Sequence, residues 1–169
     1  MSKRLDVRRT HKLFIGGRFP RSESGNTFRW EAPDSSEAAN ICRASPKDFR
    51  DAVTAARSAF PNWAGRSPYN RAQIIYRCAE MLEGRSEQFR EELRLQGASA
   101  ASARKEIVLA TDLLIHYAGW ADKYCQIFSR VNPVAEPYFN FTVPEPTGVV
   151  AVIAPSESGL LGLLAAITP

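Results

Sequence analysis

The chain has 169 residues, of which 44% are hydrophobic and 24% charged, so it can build one ordinary domain with a core and falls outside the range of disordered chains. Its net charge of +4 is scattered and interleaved with acidic residues, as in Arg85-Ser-Glu-Gln-Phe-Arg-Glu-Glu-Leu-Arg94. That pattern fits a solvated helix face and argues against a nucleic-acid partner.

Taken from the N-terminus, Met1 to Arg9 is basic but has no apolar run behind it, so no signal peptide is expected. Leu13-Phe-Ile-Gly-Gly-Arg-Phe19 predicts a β-hairpin, because Gly16-Gly17 can take the positive φ angles of a two-residue turn. A second turn follows at Pro20–Gly25, then a short strand over Thr27–Ala32, with extended chain to Arg43. Helices take over at Ser45, an N-cap residue, with Pro46 at the first helical position and Asp48 in the first turn. Phe49, Ala52, Val53, Ala56 and Phe60 predict one buried stripe, and Pro61 is expected to end that helix. Ser67-Pro68 opens the next helix, with Ala72, Ile75, Cys78, Ala79 and Leu82 facing inward and Gly84 as its break. A charged helix from Ser86 buries Phe89 and Leu93 and stops near Gly97. One long helix is predicted from about Ala101 to Phe128, its stripe running through Ile107, Ala110, Leu114, Tyr117, Ala121, Tyr124 and Phe128.

Beyond Asn132-Pro133 the period changes. Phe139 and Phe141 alternate with Asn140 and Thr142, as on a half-buried strand, and Pro144 and Pro146 confine it to an edge or a crossing arm. Val149-Val-Ala-Val-Ile153 is a β-branched run typical of a parallel strand covered on both faces. Gly159–Ile167 fits the helix after it. Pro155, Ser156, Glu157 and Ser158 interrupt the apolar stretch from Val149 to Pro169, so a membrane span is not expected. No repeat, low-complexity tract or linker divides the chain.

Several of these segments resemble the N-terminal third of the aldehyde dehydrogenase superfamily. They are Lys12–Phe19 with Ser24-Gly25, Ala52–Trp63, Arg71–Glu83, Tyr117-Ala-Gly-Trp-Ala-Asp-Lys123 and Glu145-Pro-Thr-Gly-Val-Val-Ala-Val-Ile-Ala-Pro155, in the family's order and spacing. The resemblance implies an α/β fold: an N-terminal β-hairpin, a helical layer and the beginning of a Rossmann-type sheet. It implies a single partial coenzyme-binding domain over residues 1–169, with an oligomerisation-type strand at about 137–147. The family oxidises aldehydes to carboxylates with NAD or NADP, through a thiolate nucleophile, a general base and an oxyanion hole. Its nucleophilic cysteine, its general-base glutamate and the cofactor-ribose lysine align beyond Pro169.

By position in the family motif, the cofactor-side residues are Ile153, Ala154, Pro155, Ser156 and Glu157. There the family carries Trp-Asn-Phe-Pro after the proline, and here Ser156 replaces the Trp, Glu157 the Asn, Ser158 the Phe and Gly159 the Pro. The Asn amide donates to an oxyanion, whereas an ionised Glu157 only accepts and would repel one. The alternative is that Ser156–Gly159 is only a turn. Gly97-Ala-Ser99 likewise stands where members often have Thr-Gly-Lys.

The remaining candidates read as structural. Cys42, Cys78 and Cys125 are widely spaced, odd in number and outside the family's cysteine motif, so reduced thiols in a cytoplasmic protein are expected rather than a nucleophile or a metal site. His11 and His116 have no partner at a persuasive position. Glu106, Asp112 and Asp122 do not share one helix face and read as solvated. The sequence therefore predicts no catalytic residue within the chain. It favours a non-catalytic or assembly subunit, acting as a homo-oligomer or beside a full-length aldehyde dehydrogenase paralogue. The N-terminal piece of a split active enzyme and an isolated nucleotide-binding module stay open as alternatives, the last weakened by the lack of a GxGxxG motif.

Overall fold

A computed structural model describes residues 8–34, 37–155 and 159–169. Near the N-terminus, Gly16 and Gly17 take φ of 58° and 75°, and Ile15 and Arg18 exchange backbone hydrogen bonds of 3.0 and 3.1 Å, closing the expected tight turn. Strands β1 (Thr10–His11), β2 (Thr27–Glu31) and β3 (Ala38–Cys42) form a sheet in the order β1-β3-β2. β2 runs antiparallel to β3 in the register Thr27↔Cys42 to Glu31↔Ala38, and β1 runs parallel to β3.

Helix α1 (Pro46–Ala64) starts where Ser45, Pro46 and Asp48 place it. The Ser45 hydroxyl accepts from the Asp48 N–H at 3.2 Å while the Asp48 carboxylate accepts from the Ser45 N–H at 2.8 Å. The same carboxylate accepts from the Ser22 hydroxyl at 2.6 Å and the Glu23 N–H at 3.3 Å. One capping residue thus also ties the turn before β2 to the helix. Asp48 is the only buried residue of α1. The predicted apolar stripe of this helix is covered only in part: Ala52, Val53 and Phe60 are half-buried, whereas Phe49 is 65% exposed and Ala56 lies open to solvent. Nor does Pro61 end the helix. It sits in the last turn and forfeits one hydrogen bond, but its carbonyl still accepts from the Gly65 N–H at 3.0 Å, so the turn closes beyond it.

The core lies among α2 (Pro68–Gly84), α3 (Ser86–Leu95), α4 (Ala100–Trp120) and α6 (Gly159–Ile167). Ser67 and Ser99 cap α2 and α4 through their hydroxyls. Ala103, Ile107, Ala110, Leu114 and Ala118 recur at helical spacing and are all buried. Against them pack Ala79 and Leu82 of α2, Leu93 of α3, and Leu160, Leu161 and Leu164 of α6. Cys78 is exposed rather than inward, since α4 covers the Ala79–Leu82 side of α2 and Cys78 is one position off it.

Two further expectations are corrected. The long helix is two: Ala121–Lys123 forms a turn, with Lys123 N–H donating to Trp120 C=O, and α5 (Tyr124–Phe128) follows. The Val149–Ile153 run is not a strand. Among the described residues it has no backbone partner, and a strand exists only through its neighbour's hydrogen bonds. Phe139–Thr142 contains β5 (Asn140–Thr142), which pairs antiparallel with β4 (Arg130–Asn132), a strand the sequence did not announce. No helix among the described residues is long and apolar enough to cross a membrane.

The Asp48 carboxyl is held at about 2, below its ordinary 3.8, chiefly by the Ser22 hydroxyl and then by the Ser45 N–H. Its stabilisation is therefore complete above the unfolded value of 3.8 and is lost as pH falls toward about 2. Melting temperature against pH should show a gap between the wild type and Asp48→Asn that closes on acidification through that window. A constant gap would contradict this account. In urea unfolding, Ile107→Ala should cost about 2–4 kcal/mol, whereas Phe49→Ala should stay within about 0.5 kcal/mol.

Candidate functional site

The segment that the motif assigns to the cofactor side leads into α6. Ile153 is 97% exposed, Ala154 is half-buried and Pro155 is exposed. Ser156 and Glu157 lie outside the described residues. The helix beyond them is fixed in place: α6 buries Gly162 and lays Leu160, Leu161 and Leu164 on the Ile107 cluster. Among the described residues the site is thus irregular, largely exposed chain at 153–155 ahead of a docked helix.

The docking has a polar lock. Glu106 of α4 accepts a hydrogen bond from the Leu161 N–H at 3.1 Å, satisfying a donor of the first turn of α6 and setting a negative charge at the positive end of its dipole. Gly159 sits beside it at φ 47°, and a Cβ there would lie 2.6 Å from Glu106 Oε1. The left-handed backbone favours glycine there, and a Cβ would push the Glu106 carboxylate aside. Glu106 is therefore not a solvated charge, as its helix pattern implied; it is half-buried and caps another helix. A signal was available: Ala103 and Ala110, three residues before and four after it, are buried on the same face.

The other candidates are dispersed. Cys42 is buried in β3, Cys78 exposed on α2 and Cys125 half-buried on α5. Among the described residues no cysteine is hydrogen-bonded to a histidine. His11 is exposed in β1, and His116 is exposed on α4, edge-on to Tyr117 at 5.3 Å. Asp112 and Asp122 are exposed. The Tyr124 phenol is pushed above its ordinary value by the Cys125 thiol and by burial, with Arg71 opposing. No group of three metal-ligating side chains is assembled among the described residues.

A nicotinamide cofactor would find here an exposed apolar backbone at 153–155 but no phosphate cradle, since Glu106 closes the adjacent helix end. The described residues do not by themselves fit that group. Among the described residues the arrangement sets the start of α6 against α4.

This geometry has relatives. The family model for the aldehyde dehydrogenase family matches residues 20–169. Human cytosolic 10-formyltetrahydrofolate dehydrogenase is 34% identical over 168 residues, covering 93% of this chain and 18% of that protein. The structure of HpcC from Thermus thermophilus superposes with a TM-score of 0.89 at 28% identity, over 95% of this chain and 31% of that one. An NAD-dependent aldehyde dehydrogenase from Sinorhizobium meliloti gives a TM-score of 0.64 at 29% identity, over 69% of this chain and 24% of that one. The chain spans a third or less of the length of the curated relatives it matches.

Gly159→Ala should loosen α6 by about 1–2 kcal/mol, the scale of a strained backbone residue. Glu106→Ala removes both the clash and the cap, so the two changes should be markedly non-additive. Amide exchange of residues 160–167 reads the cycle, and strict additivity would show that the two residues do not meet.

Proposed function

Because the chain belongs to the aldehyde dehydrogenase family, we propose that its 169 residues act as a non-catalytic, assembling part of an aldehyde-dehydrogenase-type protein. It would be completed by further sheet from a second copy or a full-length family member. One observation carries the reading. Val149–Ile153 has the composition of a doubly covered strand, yet it pairs with no strand among the described residues, and Ile153 is almost wholly exposed. Burying such a run is worth about 25 cal/mol per Å2 of apolar surface, so complementary strands would gain both apolar contact and hydrogen bonds.

The residue types at the turn support the same view. Glu157 stands where the family's oxyanion donor would be, and none of the three cysteines lies in the family's cysteine motif. The family's NAD(P) chemistry is in this reading a property of the completed assembly. The β4–β5 ribbon offers a second contact, since Phe139 and Phe141 lie 5.6 Å apart, both exposed, on a two-stranded unit that is marginal alone.

Co-purification with a full-length paralogue, read by light scattering and amide exchange, tests this reading. A mixed species with newly protected amides at residues 149–153 is expected, and Val152→Lys should abolish it. No mixed species, with those amides exchanging freely, would sink the proposal. NAD-linked aldehyde oxidation by the pure chain would do so too.

A further inference from the structure

A cavity of about 790 Å3 opens where the end of α1, the start of α2 and the ends of α4 and α5 converge. Its walls include the aromatic side chains of Trp63, Tyr117, Trp120 and Tyr124. Two arginines, Arg66 and Arg71, also line it, and both are half-buried.

The Arg71 guanidinium reaches only neutral acceptors. It donates to Arg66 C=O at 2.7 Å, to Ala64 C=O at 3.5 Å and to the Tyr124 hydroxyl at 3.4 Å. Arg66 donates to the Asn70 side-chain oxygen at 2.7 Å. Among the described residues no carboxylate lies within ion-pair distance of either arginine. A guanidinium presents five N–H groups in a planar fork, and Arg71 engages its own with one short and two long bonds. Partial burial removes water from this cation without supplying a counter-charge, which makes a carboxylate a favourable addition. The surrounding rings supply apolar area and flat faces for stacking on a second flat group.

We propose that this cavity binds a compact aromatic carboxylate, its carboxyl group bridged to the Arg71 fork with Arg66 beside it and its ring among Trp63, Trp120 and Tyr117. The site goes beyond the assembly reading: the groups that hold the ligand sit on α1, α2, α4 and α5 and in the turn between α1 and α2, while Pro144, Pro146, Val150 and the end of α6 complete the cavity wall, and its test reads binding by the chain alone.

The test is an NMR titration of the chain with 2-naphthoate, with neutral 2-naphthalenemethanol as the matched control. Naphthoate should shift the Trp63 and Trp120 indole signals, leave Trp30 of β2 unmoved, and bind at least about tenfold more tightly than the alcohol, the scale of a charge-assisted hydrogen bond. Arg71→Met should erase that preference. If Arg71→Met unfolds the chain, Arg71→Lys, which keeps the charge but not the fork, decides: it should weaken naphthoate at least about threefold. Equal binding of acid and alcohol, equal movement of Trp30, or unchanged naphthoate affinity in Arg71→Lys would each overturn the proposal.

Discussion

The helical core of this chain depends on one face of α4. Ala103, Ala110 and Ala118 are small enough for the backbones of neighbouring helices to come close, while Ile107 and Leu114 fill the space between them. α2, α3 and α6 all close on that face. Without it, α6 would be a nine-residue helix of Gly, Leu, Ala and Ile with little reason to persist in water. With it, α6 has a fixed position.

The periphery obeys a different constraint. α1 is capped and tied by Asp48 to the N-terminal turn, yet Phe49 and Trp63 on it are open. The β4–β5 ribbon and residues 149–153 are open as well. These segments carry the composition of interior structure without an interior, and their apolar surface is contiguous in sequence with elements already docked. Such surface is the usual mark of an interface. That contrast, a packed helical core beside open apolar segments, is what the proposed assembly reading rests on.

Local rules were legible where the chemistry is local. Ser45 and Ser67 announced helix starts, and Gly16-Gly17 announced the turn, because capping and positive φ need only neighbours in sequence. The failures came where the answer lies elsewhere in space. A β-branched run at 149–153 reads as a strand, but strand formation needs a partner that no described residue provides. The stripe of α1 has the right period, but periodicity names a face without naming what covers it. β4 is three residues, Arg130–Asn132, with no alternation long enough to notice. At the site, Ile153–Pro155 could be placed by motif alone, whereas the role of Glu106 required knowing that α6 ends against it.

Glu106 also bears on how the loop before α6 can work. A helix end that points its N–H groups at a ligand loop is an anion site by default. Here the protein's own carboxylate occupies one of those donors, and the glycine at 159 leaves it the room to do so. A second anion brought to the same turn would meet repulsion from Glu106 as well as competition for its donors. The start of α6 thus carries beside it a charge of the same sign as any anion it would have to receive. That arrangement suits a segment whose position matters to its neighbours more than one that must gather negative charge during a reaction, and it is reached from the helix side without reference to the residue types at 156 and 157.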